Sequence, residues 1–239
     1  VPGKESAFTD VTKSTDYAGT VNVVSKAGSQ KQYKVQTDRY QAELMNKGAA
    51  IDSLLQRERD IQLVVKDTPF KAEGTFDFAM HFNEREFLEG NALQDVKWNS
   101  KKISDREYSF TTTLTLDGVP VRVEKRFIFV ENADYLRVVF NITNVGRRDV
   151  TVPNGYVIFS PGDMMGPRMD YESRYNIIGS VYYINDDFEQ PGKNGDLNDP
   201  DEWIERENGT TGWVGVMSRY FLIIMMPEKS SGSGVIYDN

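Results

Sequence analysis

Across Gly118 to Val130, GVPVRVEKRFIFV, apolar residues recur with a period of two: Val119, Val121, Val123, Phe127 and Phe129 share one side, with Arg122, Glu124 and Arg126 on the other. Side chains alternate faces along a strand but wind around a helix, so this spacing specifies a half-buried β-strand. The same alternation follows at once in DYLRVVFNITNV, where Leu136, Val138, Phe140 and Ile142 oppose Arg137, Asn141 and Thr143. The short connection Glu131-Asn132-Ala133-Asp134 makes the two an antiparallel hairpin. Upstream, Phe110, Thr112, Leu114 and Leu116 form a third strand, joined through the turn dipeptide Asp117-Gly118. These three strands predict a meander.

Gln32 to Leu55 has the same character: QYKVQT, YQAELM, a turn at Asn46-Lys47-Gly48, and AAIDSLL. By propensity alone Arg39 to Arg59 favours a helix. The turn residues in its middle cost a helix more than they cost a hairpin, so two strands are the preferred reading. Further strands are expected at Ile61 to Val65, Thr75 to Phe82, Gly155 to Ser160 and Asn176 to Ile184. Many closely spaced strands without alternating helices point to a sandwich or barrel. Residues 1–30 are rich in Ser, Thr and Gly and read as a linker, with one loosely held strand around Val21 to Val24. Residues 31–239 are then a single β domain.

The longest apolar run lies in TGWVGVMSRYFLIIMMPE, between Tyr220 and Met226. It is far short of the roughly 20 residues that cross a bilayer. Aromatic and β-branched residues fill it and Pro227 stops it, which predicts a central strand covered on both faces. Trp213, Tyr220 and Phe221 are accordingly expected in the core with Phe127 and Phe140. The stretch from Asp186 to Gly209 carries nine acidic residues and is expected to be a long, solvated loop. Its carboxylates invite a calcium reading, but an EF-hand counted from Asp196 or Asp199 puts Pro200 or Trp203 at a ligand position.

Composition narrows the chemistry. The 239 residues carry a net charge of −8 with no Lys/Arg cluster, which argues against a nucleic-acid surface. There is no cysteine, hence no disulfide framework, zinc cluster or thiol nucleophile. His81 is the only histidine, and the alternation around it sets it with Asp77 and Ala79 on the exposed face, opposite Phe76, Phe78, Met80 and Phe82. No nucleophile elbow, Walker A or dinucleotide fingerprint is present. Two glycosylation sequons, Asn141-Ile142-Thr143 and Asn208-Gly209-Thr210, are too short to carry weight. No catalytic residue, metal site or cofactor is expected. The chain starts at Val1 rather than Met and is expected to be a piece of a longer protein.

Three stretches, taken in order, carry a family resemblance. VQTDRYQAELMNKGAAIDSLLQRE (Val35 to Glu58) resembles the opening of the large periplasmic domain of the bacterial membrane protein insertase YidC. VEKRFIFVENADYLRVVFNITNVGRRDVTV (Val123 to Val152) is similar to that family's central hairpin. GWVGVMSRYFLIIMMPE is similar to its Gly-Trp, Tyr-Phe and Pro segment through Gly212, Trp213, Tyr220, Phe221 and Pro227. Tyr171 to Ile184 and the acidic stretch find no counterpart. The family's membrane core is missing from the chain, and its domain would run on beyond Glu228.

The resemblance implies an all-β fold, a β-supersandwich of two large twisted antiparallel sheets related to galactose mutarotase. It implies a non-enzymatic domain at the periplasmic face of the inner membrane, tethered through transmembrane segments outside this chain. Its partners would be nascent membrane proteins, the Sec translocon and the accessory SecD/SecF-type subunits. The partner surface is expected in the least burial-patterned region, at Met165, Asp186, Asp187, Asp199 and Trp203, where carboxylates would turn away from anionic lipid. The alternative is a carbohydrate-binding or mutarotase-like carbohydrate-active protein, whose histidine and carboxylate chemistry one histidine serves poorly.

Overall fold

A computed structural model describes residues 21–24, 28–64, 78–82, 92–152, 157–160, 179–190, 204–217, 220–229 and 231–238. In chain order the strands are β1 (Val21–Val23), β2 (Gln32–Gln36), β3 (Tyr40–Met45), β4 (Ala50–Gln56), β5 (Ile61–Gln62), β6 (Met80–His81), β7 (Asn99–Ser104) and β8 (Glu107–Leu116). They continue with β9 (Val119–Phe129), β10 (Leu136–Asn144), β11 (Ile158–Phe159), β12 (Gly179–Ile184), β13 (Asp187–Glu189), β14 (Ile204–Met217), β15 (Leu222–Met225) and β16 (Gly232–Asp238). A single helical turn, Ala92–Asp95, precedes β7. Among the described residues all the strand pairings are antiparallel.

The predicted meander is the centre of the first sheet. β8 pairs with β9 and β9 with β10, while β7 and β1 lie end to end along the other edge of β8. Asp117 and Gly118 both take positive φ, 49° and 73°, as the favoured two-residue hairpin turn requires. β2 to β5 form a second, four-stranded sheet, β6 and β11 a two-stranded one, and β12 to β16 a five-stranded fourth. The described strands thus fall into four sheets, where two large ones were expected.

One core joins most of them. Leu114, Val121, Val123 and Phe127 of the first sheet, all fully buried, share one cluster with Ala42, Leu44 and Ile51 of the second and with Phe82, Leu93 and Trp98. A smaller cluster, Tyr182, Ile184 and Val235, belongs to the fourth sheet. Asn46-Lys47-Gly48 is indeed a turn, between β3 and β4, but it is buried rather than peripheral. Asn46 Nδ2 donates to the carbonyls of Ser29 and Trp98, and the Trp98 amide donates to the Asn46 carbonyl. Gly48, at φ +66°, passes so close to Gln94 that a Cβ would stand 2.8 Å from its carbonyl oxygen.

Two strand readings need correction. His81 is not on an exposed face: Phe78, Ala79, Met80, His81 and Phe82 are all buried, His81 to 3% exposure. Both side-chain parities of this segment are buried, with Phe78, Met80 and Phe82 in the main core, and alternation cannot signal a segment buried on both sides. The acidic stretch is not a loop at its ends. Asn185 and Asp186, at φ 51° and 68°, make a two-residue turn from β12 into β13, and Glu205 and Glu207 lie within β14.

Candidate interaction surface

The sheet register assembles a polar face on the side of the first sheet away from the core. Lys101 of β7 stands opposite Ser109 of β8, which stands opposite Arg126 of β9 and then Val139 of β10. Two residues along, the row is Asn99, Thr111, Glu124 and Asn141; two further, it is Thr113, Arg122 and Thr143. This face holds an open depression of about 540 Å³.

Glu124 is its centre. Partial burial pushes the Glu124 carboxyl up, but hydrogen bonds from Ser109 and Asn141, aided by the charges of Arg126 and Arg122, outweigh this and hold it below its usual range. Ser109 Oγ donates to Oε1 at 2.5 Å and Asn141 Nδ2 to Oε2 at 2.8 Å. Glu124 is therefore ionised at neutral pH and acts as an acceptor rather than an acid. Arg126 is paired with Glu107, and Arg137 with Glu228 at 2.7 Å. Lys101 and Arg122 form no salt bridge among the described residues.

A second surface is apolar. The run around Tyr220 to Met226 does not make a central strand: Trp213 to Met217 end β14, and β15 pairs antiparallel beside them as an edge among the described strands. Phe221, Ile223 and Met225 are half-buried against the main core. Tyr220 (64% exposed), Leu222, Ile224 and Met226 point the other way. Tyr220 is thus not a core residue. An unbroken apolar run does not reveal whether one or both of a strand's faces will be covered, and here one is.

Trp213 is half-buried, stacked on Tyr183 at 6.2 Å and 11° and tilted against Phe188 at 6.0 Å. Its contacts are an aromatic ladder across β12, β13 and β14, not an interior pocket. Trp213→Ala is expected to cost about 1–2 kcal/mol in a denaturant titration, below the ~3–5 kcal/mol of a buried aromatic. Loss of the larger amount would place Trp213 in a core after all.

Of the other residues singled out, Phe127 is fully buried, and Phe140 is half-buried with its ring 4.7 Å from that of Phe159. Asp186 and Asp187 are exposed at the β12–β13 turn. Met165, Asp199 and Trp203 lie outside the described residues. Sequence reasoning missed β7 and with it the polar depression. Nothing in Asn99–Ser104, a largely polar hexamer, announces a strand, and the rows exist only once β7 is paired. It also passed over Lys125, which occupies a core-facing position of β9 and is 3% exposed. The available signal was a lysine on the apolar parity of an otherwise regular alternation.

Comparison with known proteins decides the family. The YidC periplasmic domain profile matches residues 32–238. The chain belongs to the YidC periplasmic domain family. A membrane protein insertase YidC from Thiobacillus denitrificans is 28% identical over 110 residues, which make up 46% of this chain and 20% of that protein. Among solved structures, a galactose mutarotase-like protein from Lactobacillus casei superposes with a TM-score of 0.52 at 12% identity, covering 86% of each chain. That likeness establishes a galactose mutarotase-like, all-β fold. The family's name is that of a periplasmic domain, which puts the chain on the periplasmic side of the inner membrane, and the Thiobacillus protein is by name a membrane protein insertase.

Proposed function

We propose that this chain is the periplasmic domain of a YidC-type insertase and serves as a docking surface while the parent protein inserts and folds inner-membrane proteins, alone or beside the Sec translocon. The family match across 32–238 carries the reading. The local chemistry supports a binding role: the central carboxylate of the polar face is ionised and hydrogen-bonded on both oxygens, which suits recognition better than proton transfer. The β12–β13 turn supports an orientation. Asp186 and Asp187 project a carboxylate pair that an anionic lipid surface repels, so this end of the fourth sheet faces away from the bilayer and toward Sec-associated partners.

Photo-crosslinkers in the full-length insertase test this at Asp187 and Phe188, with Met165, Asp199 and Trp203 as further sites and Arg122 and Arg137 as controls on the first sheet. The expected result is capture of the translocon or its SecD/SecF-type subunits from the turn positions. Capture by the first-sheet positions with none from the turn would overturn the orientation.

A further inference from the structure

We propose that the depression on the outer face of the first sheet binds an acidic oligosaccharide. Its volume, about 540 Å³, lies within the range of about 300–1,000 Å³ typical of small-molecule sites. Asn99, Thr111, Asn141 and Thr143 supply amides and hydroxyls, and Ile142 is the lone apolar side chain among its lining residues. The amides, hydroxyls and charged groups of this wall can each meet a sugar hydroxyl, and its side-chain stems can pack on the ring.

Charge narrows the ligand further. The chain as a whole carries −8, yet Lys101 and Arg122, both exposed, line the depression without a salt bridge among the described residues, while Arg126 and Arg137 are committed to Glu107 and Glu228. The two open cations are separated by two strand spacings and four residues of strand, about 16 Å at the backbone. A span of that size suits a chain with acids on separate residues, which meets each cation in its own place.

Glu124 lies between them and excludes the densely charged candidates. A polyphosphate or nucleic acid would set its own charge against an ionised carboxylate, whereas a sugar chain sets hydroxyls there. Ser109 and Asn141 use two of roughly four acceptor positions on that carboxylate, which leaves the others for hydroxyl donors. They also fix its orientation before any ligand arrives. The inference stands on this face alone and does not rest on the insertase reading.

Calorimetric titration of the full chain with trigalacturonate tests it, beside neutral maltotriose, tripolyphosphate and phosphatidylglycerol vesicles. Trigalacturonate is expected to bind, more weakly as salt rises, with maltotriose and tripolyphosphate each at least about tenfold weaker. Lys101→Gln and Arg122→Gln, both at exposed positions, are each expected to weaken trigalacturonate by about tenfold, the loss of one charge-assisted hydrogen bond. Arg137→Gln, outside the depression, is expected to leave it unchanged. Circular dichroism establishes that each variant is folded. Equal binding of maltotriose, insensitivity to both substitutions in the depression, or no binding of trigalacturonate would sink the proposal. Binding to the vesicles alone would overturn it in favour of a lipid headgroup.

Discussion

Phe127→Ala is expected to destabilise the chain by about 3–5 kcal/mol, the largest loss foreseen for a single side chain here. Phe127 is fully buried, and its ring meets those of Phe78 and Phe110 edge-on, each at 6.0 Å. It lies on the core-facing side near the C-terminal end of β9, a strand hydrogen-bonded on both sides to β8 and β10. Those ladders hold the backbone in place, so the walls of the resulting cavity cannot collapse inward, and the void adds to the lost transfer energy. Phe140→Ala provides the comparison. That ring is half-buried on β10, an edge strand among those described, where its neighbours can relax, and its loss is expected to cost about half as much. Urea titration measures both. Equal losses would mean that β10 is as constrained as β9 and that the edge assignment is wrong.

The contrast between these strands also explains what the sequence could and could not disclose. β8, β9 and β10 were legible because one face is core and the other solvent, so every second residue reports its surroundings. β3 and β4 were legible from their turn, whose glycine takes the positive φ that ends a helix as readily as it closes a hairpin. β6 defeated the same logic: buried on both sides, His81 has an environment that its neighbours' pattern does not encode. Tyr220 failed in the opposite direction, since an apolar residue on an uncovered face looks the same in sequence as one in a core. The polar depression lay furthest from reach. Its rows combine residues from β7, β8, β9 and β10, and only the register brings Lys101, Glu124 and Asn141 to one face.

Lys125 holds the second large effect and shows why the two main sheets keep their relation. The alternation sets its side chain toward the core, where it is 3% exposed. Nζ donates to the carbonyls of Gly48 at 3.2 Å and Ala49 at 3.0 Å, and it lies 5.6 Å from the Trp98 ring centroid, 5.9 Å from that of Phe127 and 6.0 Å from that of Phe140. A strand of the first sheet thereby grips the turn of the second. Lys125→Met keeps most of the volume and removes the ammonium, so two terms oppose each other. Replacing a buried charge by an apolar group relieves its desolvation and is often neutral when every partner is replaced too. The partners among the described residues include the Gly48 and Ala49 backbone carbonyls, which no substitution removes, and each buried acceptor left without its donor costs about 1–3 kcal/mol. The cation–π contacts add about 0.5–2 kcal/mol to the loss. A net destabilisation of about 2–3 kcal/mol is expected in urea titration. Hydrogen exchange gives a local readout: the Gly48 amide, bonded to the Val96 carbonyl, is expected to exchange faster in the variant by more than global stability accounts for. A change within about 0.5 kcal/mol, with the Gly48 amide unaffected, would show that the turn stands without Lys125 and that the grip between the sheets lies elsewhere.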